Sequence, residues 1–332
     1  MIGSMPRLMV LLLLGSMLAG CAAGKTRTVR PLPLPPPPQP TPIDQALLRQ
    51  ALEEVRAAQK SPNATLRGQA IEALVLGIGP TAADDVLPAL KDPAAPVRFA
   101  ALIALGQFKA REARPQVLAM LDDPSAHVQA AARFALHKLG DTSHSQELAT
   151  LSRSPLPGVR ANVALLLGLL EEPSAVKLLR PMQADDDAQV RLQVAEALWR
   201  LDDRDGLASL LQFSISQYVD DQIFALLAIA APRRQSVRSH LEGKLNTEVV
   251  EVNLAAARAL GMLGSDRGYL VARDALDNRD PRQRLMSAMA LGAIGRSDAQ
   301  QSLAKLLRDE SPQVRLGAAA ALLMIARANG AG

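Results

Sequence analysis

Apolar positions recur along this chain with a period of 31 residues, and Leu66, Val97, Val128, Val159, Val190, Asp221, Val252, Gln283 and Val314 head nine successive steps. Eight residues after each anchor stands an aliphatic side chain: Leu74, Leu105, Leu136, Leu167, Leu198, Ile229, Leu260, Leu291 and Leu322. The preceding position is Ala in every step except the one that carries Leu166, and small residues there permit close helix approach. A second apolar slot follows the anchor by twenty residues, at Val86, Val117, Leu148, Leu179, Leu210, Leu241, Ala272 and Leu303, so each step predicts two helices. Five residues before the anchors lie Ser61, Asp92, Asp123, Ser154, Asp185, Ser216, Thr247, Asn278 and Asp309. These short side chains accept backbone N–H bonds and mark the turn into each first helix. Pro62, Pro93, Pro124 and Pro155 come next, where a missing N–H is tolerated.

The same pattern predicts the terminal elements. Ile43 to Gln59 is amphipathic, opened by Thr41-Pro42, and Val55 falls on the second-helix slot of a preceding, incomplete step. Ser311 to about Ala328 is a first helix without a second. The expected fold is all-α, an α-solenoid of about eighteen helices over residues 43–330, with a lone second helix and a lone first helix as the caps that a solenoid requires. Tyr218 to Asn246 departs most from the pattern, through Asp221, Pro232 and Arg233-Arg234, and the stack is expected to bend or loosen there.

Asp-x-x-x-x-Val-Arg, then an Ala-rich helix, then Leu-Gly, is carried best by Asp92 to Gly106 and by Asp309 to Leu323, the latter without its Gly. This pattern resembles HEAT repeats, particularly the short bacterial form, although the period is shorter than the usual HEAT length. The resemblance implies that Arg67, Arg98, Arg160, Arg191, Arg284 and Arg315 pair with turn carboxylates such as Asp92 and Asp123. It also implies a curved rod whose second helices line the concave face.

Residues 1–20 read as an export signal: Arg7, then an apolar run from Leu8 to Leu18 broken only by Gly15 and Ser16. A spanning helix needs roughly 20 apolar residues, so this run is too short to be a permanent anchor. The run closes on Leu18-Ala19-Gly20-Cys21, which closely resembles the lipobox of bacterial lipoproteins. By that resemblance the Cys21 thiol takes a diacylglyceryl group and becomes a lipidated, palmitate-bearing N-terminus. Ala22, standing where an inner-membrane retention signal would place Asp, implies the periplasmic side of the outer membrane. Residues 21–42 form the lipidated N-terminus and linker, with eight prolines from Pro31 to Pro42. A polyproline II stretch of that length is a stiff spacer of roughly 37 Å.

Charge and composition narrow the function. The single cysteine excludes an internal disulfide and any metal site needing two thiolates. The net charge of +4 resides in Arg7, Lys25, Arg27 and Arg30, because Lys and Arg balance Asp and Glu from Ile43 onward. A neutral body has little long-range basis for nucleic-acid affinity, whereas a basic N-terminal segment suits an anionic bilayer. His127, His137, His144 and His240 lack His-x-x-x-His spacing, and the sequence shows no Gly-x-Ser-x-Gly elbow, Walker loop or dinucleotide fingerprint. No catalytic residue, metal ligand or cofactor is therefore expected. Trp199, Phe213, Tyr218 and Phe224 are half of the eight aromatic residues and form the candidate partner site, since aromatic anchors dominate binding hot spots. The expected function is a membrane-anchored periplasmic scaffold that binds protein partners in envelope assembly or maintenance, not an enzyme. The alternative is a lyase or other enzyme subunit acting on a partner protein, because short HEAT-like repeats also resemble those of phycobilisome lyase subunits.

Overall fold

The computed structural model describes residues 41–330, so Leu18, Ala19, Gly20, Cys21 and most of the proline-rich linker lie outside the described residues. Among the described residues there are eighteen α-helices, seven short 3-10 segments and no strand, which is the all-α helix-pair architecture that the 31-residue period predicts. They divide into two compact units, residues 59–216 in one, residues 41–58 and 217–330 in the other. The division at Ser216 and Gln217 falls at the turn that opens the step departing most from the pattern.

Helix α1 (Gln45–Gln59) is the first of the described helices and belongs, except for Gln59, to the second unit. The first unit holds five pairs: α2 (Ala64–Gly77) with α3 (Ala83–Val86), α4 (Ala95–Phe108) with α5 (Arg114–Ala119), α6 (Ala126–Lys138) with α7 (Glu147–Leu151), α8 (Pro157–Leu170) with α9 (Val176–Met182), and α10 (Ala188–Arg200) with α11 (Arg204–Phe213). The second unit continues with α12 (Val219–Ala230) and α13 (Arg238–Glu242), α14 (Val250–Met262) and α15 (Tyr269–Asp274), α16 (Pro281–Ile294) and α17 (Gln300–Leu306), then α18 (Pro312–Ala328).

First helices are buried nearly all round; in α4 every residue from Val97 to Gly106 except Arg98 is buried. Their Ala slots have a steric reason. A Cβ on Gly106 would come within 3.0 Å of the Ala135 Cα, and one on Gly168 within 2.8 Å of the Ala197 Cα. A Cβ on Gly292 would likewise lie 2.7 Å from the Ala321 Cα. Glycine on one helix against alanine on the next thus lets the backbones touch. Leu166, the one large residue in that slot, faces by register His137 rather than a glycine.

The residues five before each anchor do mark the turns, but they are not the caps themselves. The helices begin three residues later, and Ser61, Asp92, Asp123, Ser154, Asp185, Thr247, Asn278 and Asp309 each accept from the backbone N–H two residues on, as in Ala94 N to Asp92 Oδ1 at 2.8 Å and Ser125 N to Asp123 Oδ1 at 2.9 Å. This is an Asx-turn feeding the helix, a local bond that competes with helix at its own position and so sets where the helix starts.

The ends of the chain depart from expectation. Thr41 N and Oγ1 both reach Ser297 Oγ, at 3.0 and 3.2 Å, and Asp44 N donates to Gln300 Oε1 at 3.0 Å. At the other end of α1, Arg315 Nε donates to Glu54 Oε1 at 3.0 Å. The start of α1 therefore meets the start of α17, and its last turns meet the start of α18. Helix α1 runs with α17 and against α18, in the place that the missing second helix of the last step would occupy. The lone second helix and the lone first helix are not separate caps; they make one complete pair from opposite ends of the sequence. Asp44, whose Oδ1 accepts from Ala46 N at 2.7 Å, caps α1, rather than Thr41-Pro42.

Candidate functional site

The arginines after the anchors are committed within the fold, as their expected pairing with turn carboxylates requires. Arg98 Nε and Nη2 grip Asp123 Oδ2 and Oδ1 at 2.7 and 2.8 Å, while its Nη1 donates to the carbonyls of Asp92 and Pro93. Arg67 with Asp92, Arg160 with Asp185 and Arg284 with Asp309 repeat this two-pronged contact. Each arginine thus clamps the turn that starts its own helix to the turn that starts the next. Burial works to raise the Asp92, Asp123 and Asp309 carboxyls, but the arginines and the turn amides outweigh it and hold all three below the ordinary value. Arg160 itself is the main cause of the depression at Asp185. For Arg191 the residue 25 positions on is Ser216 in place of an Asp, and its Nη1 donates to the carbonyls of Asp185 and Asp186, while Arg315 turns to Glu54.

The four aromatic candidates occupy different environments. Trp199 is 4% exposed and Phe224 3%, both inside first helices; Phe213 is half-buried, and Tyr218 is 63% exposed. Trp199 and Phe213 belong to the first unit, Phe224 and Tyr218 to the second. In the second unit Tyr218 and Val250 are both exposed at the entrances to successive first helices, although the position one step on from Tyr218 is the half-buried Val249; the first unit exposes Leu156 and Ile215. All four exposed apolar residues stand at the entrances to first helices. A polar groove of about 270 Å³ lies in the second unit, where Arg273, Asp274, Leu276 and Asp277 at the end of α15 face Ser302 and Lys305 of α17. Its two cations and two carboxylates suit a mixed polar protein surface better than a ligand of one charge.

Among the histidines, burial lowers the basicity of His127, whose Nδ1 lies 2.8 Å from Asn162 Nδ2 and so accepts its proton. His137 Nδ1 meets Ser145 Oγ at 2.7 Å. Among the described residues no group of three His, Cys, Asp or Glu side chains is placed to hold a metal ion. No described helix is long and apolar enough to cross a membrane. Sequence reasoning missed Glu196, which is 1% exposed in α10. Its Oε2 accepts from Gln193 Nε2 at 2.6 Å and its Oε1 from Arg200 Nε and Nη2 at 3.0 and 2.7 Å. The signal was available: Glu196 sits six residues after its anchor, where other steps place Ile103, Phe134, Leu165 and Leu227. A carboxylate with three side-chain donors from Gln193 and Arg200 orders its own helix.

The chain matches the HEAT-repeat family over residues 52–137, 145–221 and 270–329, and it belongs to that family. Solved structures with a similar fold include the complex of CpcE and CpcF of phycocyanin lyase from Nostoc, 22% identical, covering 74% of this chain and 97% of that one with a TM-score of 0.43. Human deoxyhypusine hydroxylase in complex with glycerol is 20% identical over 75% of this chain and 97% of its own, with a TM-score of 0.39. No curated protein matches the sequence.

Proposed function

We propose that this protein is a scaffold tethered by lipid to the bacterial cell envelope, at the periplasmic face of the outer membrane, where its helix pairs bind protein partners in envelope assembly or maintenance. The observation that carries the reading is Leu18-Ala19-Gly20-Cys21 closing an eleven-residue apolar run, followed by a proline-rich spacer and a HEAT-repeat body. Two or more acyl chains on Cys21 hold a protein at a bilayer where one chain is marginal. A spacer then raises the local concentration of whatever the repeats grip beside that membrane. In this reading the protein carries no reaction and needs no cofactor. Tyr218 with Val250, and the groove between α15 and α17, are the surfaces offered to partners.

Two measurements test this. Palmitate labelling is expected for the native chain and lost in Cys21→Ala, with release of the protein from membranes; retention without acylation refutes the tether. Photo-crosslinkers placed beside these residues, at Gln217 and at Ser302, in intact cells are expected to capture a defined set of envelope proteins that Tyr218→Glu or Lys305→Glu removes. The same capture from those variants refutes binding through these surfaces.

A further inference from the structure

The linker enters the fold at a defined place. Thr41, the first described residue, is pinned to Ser297, in the turn that joins α16 to α17. The turns of this kind in the second unit, residues 231–237, 263–268 and 295–299, carry Arg233, Arg234, Arg267 and Arg296 against Asp266 and Asp298 alone. Arg238 and Arg327 stand at the adjoining helix ends. The turns at the opposite ends of the same helices, residues 243–249, 275–280 and 307–311, have the reverse balance, with Lys244, Arg279 and Arg308 against five carboxylates.

Helix dipoles favour cations near the ends of the first helices, which accounts for part of this polarity. They do not account for all of it. The corresponding turns of the first unit follow first helices of the same kind, yet carry only Lys109 and Arg111 against Glu112, Asp141, Glu171, Glu172, Asp202 and Asp203. The arginine excess on this edge therefore lies in Arg233 and Arg234 of residues 231–237, while the turn that receives Thr41 sets Arg296 against Asp298 at 2.8 Å; such turns in general carry no excess. Several of the edge's arginines are presented outward. Arg233 is exposed with a left-handed φ of 56°, and the Arg267 side chain is 59% exposed beside Glu242.

We propose that this basic edge of the second unit, the edge on which the linker enters, lies against an anionic phospholipid surface, so that the tethered protein rests on the membrane through the turn that carries Arg233 and Arg234. The proposal rests on the lipid tether for its proximity to a bilayer, but it is measurable without it. The chain from residue 21 onward, carrying Cys21→Ser and keeping every described residue, is mixed with vesicles of phosphatidylglycerol and phosphatidylcholine or of phosphatidylcholine alone. Sedimentation with the anionic vesicles is expected, falling as salt rises, with none on neutral vesicles. Arg233→Gln/Arg234→Gln/Arg267→Gln is expected to weaken binding tenfold or more. Lys244→Gln/Arg279→Gln/Arg308→Gln, which removes the same charge from the opposite turns, is expected to leave it unchanged. Arg233→Gln alone, a single exposed substitution, is expected to give a smaller loss in the same direction should the triple variant fold poorly.

Equal losses from both triple variants would overturn the proposal, as would undiminished binding by the first, which would assign the effect to Lys25, Arg27 and Arg30. Equal affinity for soluble polyphosphate or single-stranded DNA would also overturn it, by showing general anion capture. Failure of the tether would instead appear as missing palmitate on the native chain, an outcome that leaves the vesicle result untouched.

Discussion

Replacing Asp123 with alanine tests what couples one repeat to the next. Asp123 receives two hydrogen bonds from Arg98 at 2.7 and 2.8 Å and a third from the Ser125 amide at 2.9 Å, and the two side chains are only 5% and 12% exposed. Asp123→Ala leaves the guanidinium holding only the Asp92 and Pro93 carbonyls, and it removes the acceptor from the turn into α6. Stranding one member of a buried pair costs about 3–5 kcal/mol, and a lost turn acceptor about 1 kcal/mol. Because the Arg98 side chain is not fully buried and can turn toward water, the lower end applies, about 4 kcal/mol in all. Arg98→Met/Asp123→Leu strands no charge and should cost about 1–2 kcal/mol, so the two sites should couple by about 2 kcal/mol or more. Trp199, the only tryptophan and buried in the first unit, reports urea unfolding of that unit by its fluorescence. A loss under 1 kcal/mol for Asp123→Ala, or a double variant as unstable as the two single changes together, would refute the argument.

Other outcomes follow from the same structure. Leu198, fully buried in α10, becomes an unpartnered carboxylate in Leu198→Asp, which should cost several kcal/mol and lower the urea midpoint; an unchanged midpoint contradicts the core assignment. Asp92, Asp123, Asp185 and Asp309 are held below their ordinary values in the folded state, so the stability they supply is complete above the unfolded carboxylate range, near pH 4, and is lost as pH falls through the folded values. Urea midpoints should accordingly be flat from about pH 7 to 5 and fall below about pH 4, whereas a maximum at acid pH would reverse the sign of the argument. Glu54→Lys sets a second cation against Arg315 and should raise hydrogen exchange in α17 and α18 while leaving α4 to α8 protected; exchange raised equally throughout would deny the pairing of α1 with the last repeat.

Much of the fold was legible because a period of 31 exposes each slot nine times over. The arginine contacts were legible for the same reason, as residue types at fixed spacing, and they appear as two-pronged bonds from Arg67 to Asp92 and from Arg98 to Asp123. Register also held information that composition concealed. Trp199 stands nine residues after its anchor, the slot that Gly106, Gly168, Gly261 and Gly292 use to press against a neighbouring helix, so its burial could have been inferred. Tyr218 stands at a turn, and it alone of the four aromatics is exposed. The pairing of α1 with α18 left no local trace, since Glu54 and Arg315 are 261 residues apart and the repeat pattern is silent on what an incomplete unit will meet.

That pairing sets an order on the protein's birth. The first described helix has hydrogen-bond partners translated far behind it, for Thr41 and Glu54 wait on Ser297 and Arg315, 256 and 261 residues further on. Local repeats can assemble as they appear, but this join is a late, long-range event, slowed by the entropy of closing so large a loop. A product halted before Ser297 would keep helix α1 without those partners, leaving an unmistakable mark by which an aborted copy differs from a finished one.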